Sequence, residues 1–466
     1  MATADERISR LEAQVAHLLE VLAARDAEIA RLKGRVAELE RQLGQNSTNS
    51  HKPPSSDPPG TRPSKEASGR KRGGQAGHKG HKRVLLPAEK VTKRTEVRPR
   101  ACHGCGGHDL TPSELAPRIH QVVDIPEIRP DVHEVRMHAA CCRGCGRTTW
   151  ARLPGKVPAH MFGPRLQAFI GYLIGSRMSR RQVRELLGEV FGIPVSLGAL
   201  SEAEARTSAA LAEPVAEAEA YVRAQPVKHV DASTWRLHGK YAALWTITTR
   251  FVAAFFVARD ATRETIAALI GTLSGVLVTD RGSQFGFWAM PARQVCWAHL
   301  IRKFVSFSQR KDEGAQIGDN LLLLAHAMLC GWHRVRDGTL SRRRYQRMVR
   351  EVLPALELHL DRGVALDVSE ISGACRNILE HKAALFTFAF VDGVDPTNNA
   401  AERALRPFVL WRKVSYGSQS LRGCLFAQRI MTVVHSLRLQ KRSVWTFLRQ
   451  ACSGTKAGSP SLLPVH

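Results

Sequence analysis

"VKHVDASTWRLHGKYAALWTITTRFVAAFFVARDATRETIAALIGTLSGVLVTDRG", residues 227–282, decides how this chain folds. "VKHVDAST" reads as a strand, and "YAALWTITT" and "FVAAFFVAR" follow as apolar strands, with turns near His238-Gly239-Lys240 and near Arg250. "TRETIAALIGTL" has helical spacing with Thr262 available to start it, and "GVLVTDRG" returns as a buried strand. Asp231 follows the apolar core of the first strand, and Asp280 ends the fourth.

Strand, strand, strand, helix, strand is the order that opens a ribonuclease H-like α/β sheet, in which the first and fourth strands are neighbours. That order predicts that Asp231 and Asp280 come within bridging distance of one divalent ion. Breaking a phosphodiester at neutral pH needs an activated oxygen and a stabilised oxyanion, and two Mg2+ (or Mn2+) ions roughly 4 Å apart supply both. Such hard ions prefer carboxylate, water and phosphate oxygens to thiol or imidazole. Glu402, in the helix-forming run "DPTNNAAERALRP" (Asp395–Pro407), is the natural third carboxylate, with Asn398 and Arg406 at i−4 and i+4 on its face. The plainer alternative makes Asp231 a strand-end cap and Glu402 a surface partner of Arg406.

Composition points the same way. The 466 residues are too many for one core, and a formal charge of +26 draws a protein to polyanions, nucleic acid above all. No apolar stretch approaches the roughly 20 residues that span a bilayer, and the N-terminus lacks a signal-peptide layout. The expectation is a cytoplasmic, bacterial, nucleoid-associated protein with no membrane partner.

Upstream, Ile8, Val15, Leu22, Ile29, Val36 and Leu43 alternate with Leu11, Leu18, Leu32 and Leu39 in a heptad that only Arg25 breaks. This predicts a coiled coil over 1–44 and a homodimer; a lone amphipathic helix is the alternative. Residues 45–98 read as a disordered basic linker. Its Lys52–Arg83 stretch carries nine Lys or Arg against two acids and suits non-specific phosphate contact, or simple solubility. Five of the ten cysteines fall between Cys102 and Cys145. Cys102-x-x-Cys105 and Cys142-x-x-Cys145 form two tight-turn pairs suited to one closed, four-thiolate structural Zn2+ in a zinc-ribbon-like module over 99–155. Cys141, His103 and His108 are bystanders on this reading. Residues 156–222 are helical: "SRRQVRELLGEVFG" (Ser179–Gly192) and a helix capped by Ser196 suit either a helix-turn-helix or a packing hairpin.

Cys296-x-x-His299 has the spacing of half a metal site, but no second pair accompanies it, and a structural or substrate-positioning role is favoured over zinc. Between Asp280 and Glu402 lie 121 residues, which predicts a helical insertion at about 308–392 within a 223–452 domain. Arg281, Arg302, Lys303, Asn398, Asn399, Arg403, Arg406, Arg412 and Lys413 are candidate DNA contacts. Residues 453–466 read as a disordered tail. The fold class is therefore multidomain α+β.

Taken in order, the zipper, "LGQNSTNSHKPPSSD", "GGQAGHKGHKR", the two cysteine pairs, "HVDASTWRLHGK", "VTDRGSQF", "CWAHLIRKF" and "TNNAAERALRP…WRKVSYGSQS" resemble a transposase of the insertion sequence 66 family along nearly the whole chain. The resemblance implies a DDE triad, which maps onto Asp231, Asp280 and Glu402. It further implies double-stranded DNA partners (terminal inverted repeats and target DNA) and element-encoded accessory proteins. One departure is Ala232-Ser233, where the family commonly has Glu-Thr. The rival readings are a non-catalytic DNA-binding relative and a structure-selective nuclease.

Overall fold

The computed structural model describes residues 4–50, 52, 57, 83–271, 273–366, 368–454 and 459–464. Most of the basic Lys52–Arg83 stretch lies outside the described residues. Helix α1 spans Ala4–Leu43, and its apolar seam is uncovered, with Leu18 59% and Leu22 58% exposed. Its C-terminal end reaches the body of the protein through an Arg41–Glu370 ion pair and an Asn49 to Gln309 hydrogen bond. Strands β1 (Ala139–Cys141) and β2 (Thr148–Trp150) make a small antiparallel hairpin, and none of residues 99–155 is buried.

Helices α2 (Pro164–Gly175), α3 (Arg180–Phe191), α4 (Leu197–Ala210) and α5 (Ala212–Ala224) follow. Ser179 and Gln182 close a capping box on α3, Gly192 ends it in the left-handed conformation, and Ser196 caps α4. Helix α4 packs among α2, α13 (Leu421–Leu439) and α14 (Val444–Ser453), with Leu200, Ala203 and Thr207 inaccessible. The helices of 156–222 therefore share one hydrophobic core with the sheet: Ile170, Leu200 and Val215 belong to the same cluster as Leu244, Phe255 and Phe408.

The sheet is built from β3 (Val227–Leu237), β4 (Lys240–Thr248), β5 (Ala253–Ala258), β6 (Val276–Thr279) and β7 (Arg293–Val295), in the order β5-β4-β3-β6-β7. β3 and β4 are joined by a two-residue turn at His238-Gly239, both with positive φ, as the right-handed strand twist requires. Helix α6 (Arg263–Ile270), capped by Thr262, carries the chain to β6, which lies parallel to β3. That crossover closes at Gly275, where a Cβ would meet the Pro226 carbonyl oxygen at 2.3 Å and the next residue, Val276, donates to that same oxygen at 2.7 Å.

Beyond β7 come α7 (Trp297–Ser308), α8 (Gly314–Arg336), α9 (Arg342–Ala365), α10 (Ser369–Glu380) and the short α11 (Thr387–Phe390). They form a second core around Phe304, Leu321, Tyr345 and Phe388, together with Val276 and Val278 of β6. Since Leu277 belongs to the first core, alternation along β6 puts one core on each face of the sheet. Helix α12 (Asn399–Ser415) then lies across β3 and β4. After it, Gly417 at φ +96 lets Ser418 pair with the end of β3: Ser418 N–H donates to Arg236 O at 2.8 Å. The tail expectation needs correcting for residues 459–464, which dock. Leu462 is fully buried, and Ser459 and Ser461 donate to Glu213 and Glu217.

Candidate active site

The parallel register pairs Val227 with Val276, Lys228 with Leu277 and His229 with Val278. Continuing that offset by two residues sets Asp231 opposite Asp280, on the same face because strand side chains repeat every two residues. β7 adds Leu277 opposite Arg293 and Thr279 opposite Val295, and Cys296 N–H donates to Thr279 O at 2.8 Å. The C-terminal ends of three parallel strands thus line up Asp231, Asp280 and Cys296, the edge where open α/β sheets hold ligands. Asp231 Oδ1 accepts from Ala232 N–H at 2.8 Å, and Asp280 Oδ1 accepts from Gly282 N–H at 2.9 Å.

Burial pushes the Asp231 carboxyl up to about 7; the Ala232 N–H opposes this, while the charges of Asp280 and Glu402 add to it. Asp231 therefore feels the charges of both other carboxylates. Below them sits Arg293, a fully buried arginine that sequence reading missed; it donates to Thr279 Oγ1 and to the Asp280 carbonyl and lies over the Phe285 ring. Its only sequence signal was an arginine in a strand-like run.

Glu402 stands in the first turn of α12, whose N-terminus is fixed by the residue before it. Asn398 is 1% exposed: its amide donates to Val230 O at 2.8 Å and accepts from His229 Nδ1 at 3.3 Å, and its backbone N–H donates to Cys296 Sγ at 3.0 Å. Trp297 N–H donates to Pro396 O at 2.9 Å. Asn398, read from sequence as a DNA contact, spends its side chain inside the protein. His229, buried beside it, is held below the usual imidazole range by burial.

The Glu402 carboxylate does not face Arg406, which is exposed. Oε1 lies 3.7 Å from His299 Nδ1 and Oε2 lies 3.6 Å from Arg302 Nη2. Cys296-x-x-His299 and Glu402 bring three ligand atoms within 4.8 Å of one another, and among the described residues this is the group of three or more His, Cys, Asp and Glu that does so. The three carboxylates do not close to that separation.

Of the other basic candidates, Arg281 donates to Asn377 Oδ1 at 3.0 Å, Lys303 sits over Phe307 and Arg412 donates to Thr234. Arg403, Arg406 and Lys413 are exposed, and Asn399 is half-buried.

The two cysteine pairs form matching knuckles. Cys102 N–H donates to Gly107 O and Gly106 N–H to Cys102 O; Cys142 with Arg147 and Gly146 repeats both bonds. Backbone N–H groups of Cys105 and Gly104, and of Cys145 and Gly144, hold the Cys102 and Cys142 thiols below their ordinary range. No three of Cys102, Cys105, Cys142 and Cys145 have sulfurs within 4.8 Å of one another.

A family model described as Transposase IS66 family matches residues 161–425, more than half of the chain. The chain belongs to the Transposase IS66 family. The span matched to this transposase family begins just before α2 and takes in the sheet, α2 to α12 and all three carboxylates. A second model, a family of unknown function (DUF6444), matches residues 3–84, which hold α1 and the basic stretch. No curated protein matches the chain. Among the described residues of this transposase, no helix is long and apolar enough to cross a membrane.

Proposed function

We propose that this family member is a DDE transposase that binds the ends of an insertion sequence, cuts one strand at each end, and joins the freed 3′-OH groups to target DNA. The observation that carries the reading is geometric: the β3–β6 register sets Asp231 and Asp280 side by side at the C-terminal edge of the sheet, and the Asn398 anchor holds the helix of Glu402 against β3. Such a concentration of negative charge is what a divalent cation relieves, and an all-oxygen donor set suits Mg2+ or Mn2+. The strand order β5-β4-β3-β6-β7, with Asp231 and Asp280 on adjacent parallel strands, favours a ribonuclease H-like catalytic unit.

Asp231, Asp280 and Glu402 would hold two such ions, which supply an activated oxygen and stabilise the departing one. The protein's own part is positioning. The β3–β6 pairing fixes two acids, the Asn398 anchor fixes the third, and Arg293 braces the Asp280 backbone from within the sheet. Exposed Arg403, Arg406 and Lys413 on α12, with Asn399, would track the DNA backbone. Arg281, Arg302, Lys303 and Arg412 would contribute positive potential at closer range.

The uncovered heptad of α1 favours a homodimer that holds both element ends. The matched knuckles, with thiols already lowered, favour one structural Zn2+ that would draw 99–155 together, since a stretch that buries nothing by itself depends on a metal for folding energy. The reading makes the protein a cytoplasmic, nucleoid-associated bacterial enzyme. One observation favours the non-catalytic alternative: Glu402 leans on Arg302 and His299. A strand-transfer assay in Mg2+ with wild type and Asp280→Asn separates the readings. Joined products lost in the variant support the transposase; cutting without joining makes it a nuclease, and binding without chemistry makes it a regulator.

A further inference from the structure

Cys296, His299 and Glu402 offer a thiol sulfur, an imidazole nitrogen and a carboxylate oxygen within 4.8 Å of one another. We propose that they form a second metal site, specific for Zn2+ or a similar borderline-soft ion, and that it competes with the Mg2+ pair for Glu402. Only the competition rests on the transposase reading; the site itself rests on its donor set.

The geometry is close to what the ion needs. Zinc bonds of about 2.0–2.3 Å in a tetrahedron leave ligand atoms roughly 3.3–3.8 Å apart, so the three groups need to close by no more than about 1–1.5 Å. Cys296 is the residue capping α7 and His299 lies in its first turn. The helix N-terminus therefore favours a thiolate at Cys296, and the Asn398 N–H, 3.0 Å from the sulfur, does the same. A cation binding at the sulfur displaces the thiol proton to solvent. Glu402 Oε1 is a buried oxygen that accepts no hydrogen bond, while Oε2 keeps Arg302. One oxygen is thus available without discarding the arginine.

Sulfur and nitrogen donors select zinc over Mg2+. A zinc ion here would hold the helix acid on the α7 side, away from Asp231 and Asp280. Zinc would then inhibit cutting in Mg2+ by occupying a neighbouring site that withdraws a shared ligand.

The test uses the full reduced chain, stripped with chelator, equilibrated with buffered Zn2+ and counted for bound zinc by atomic absorption. The knuckle cysteines also take zinc on the reading above, so the difference between proteins is what matters. Cys296→Ser and His299→Gln should each bind one zinc fewer per chain than wild type; equal counts overturn the site. Glu402→Gln, at a partly exposed position, guards against misfolding: it should keep the wild-type circular dichroism and lose the same ion. With Co2+ in place of zinc, the wild-type minus Glu402→Gln spectrum should contain a thiolate-to-cobalt charge-transfer band, and a flat difference overturns the site. Zinc counted here in a protein that cuts no DNA with any metal supports the site and sinks the transposase reading. Mg2+-dependent cutting without the extra zinc does the reverse.

Discussion

The side-chain amide of Asn398, four residues before Glu402, donates at 2.8 Å to the carbonyl of Val230, one residue before Asp231. This one bond ties the helix that carries the third acid to the strand that carries the first. The same side chain accepts from His229, and the same residue's N–H reaches Cys296. Three elements meet at one asparagine.

Asn398→Ala should therefore cost about 1–3 kcal/mol, the range for leaving buried polar groups unpaired. Denaturant unfolding measures the loss, and hydrogen exchange should rise first in the opening turn of α12. Unchanged exchange there would mean that the helix is anchored by packing alone.

Gly417→Ala should destabilise the fold by about 2 kcal/mol or more, since φ +96 disfavours a side chain and its Cβ would meet Arg236 O at 2.2 Å. Thermal unfolding tests this, with Gly188→Ala, where nothing lies within 4 Å, as the mild control.

In chelator, the Asp231 carboxyl makes stability depend on pH. Its folded value of about 7 lies above its ordinary value of 3.8, so between those values the folded chain binds a proton that the unfolded chain releases. Stability contributed by that proton is present at the acid end and is lost as pH rises through about 7. The melting temperature of wild type should fall across this window more than that of Asp231→Asn, and saturating Mn2+ should remove the difference.

Much of this was legible in the sequence, for physical reasons. Apolar runs of strand length, each punctuated by an acid, located Asp231 and Asp280, and the strand-strand-strand-helix-strand order fixed which strands adjoin. Ser196 and Thr262 announced their helices through cap chemistry. The company of Glu402 was not legible. Its spacing named Arg406 and Asn398, but α7 is brought alongside by β7, and only tertiary contact selects His299 and Arg302. Asn398 misled because a polar residue before a helix reads as a surface cap, whereas this one fills a buried junction. Leu462 gave no warning either, since a single apolar residue in a polar tail has no period.

On the α1 seam, Leu18→Lys with Leu22→Lys should convert a dimer to a monomer by light scattering, because both side chains are more than half exposed in the single chain. A monomeric wild type would remove the pairing role.

The central claim is that Glu402 joins Asp231 and Asp280 around shared divalent ions. Strand cutting and joining on an element-end duplex in Mg2+, comparing wild type with Glu402→Gln, tests it most directly. Both steps should fall in Glu402→Gln by at least about three orders of magnitude, with DNA binding retained. Cutting and joining near the wild-type rate in Glu402→Gln would contradict it.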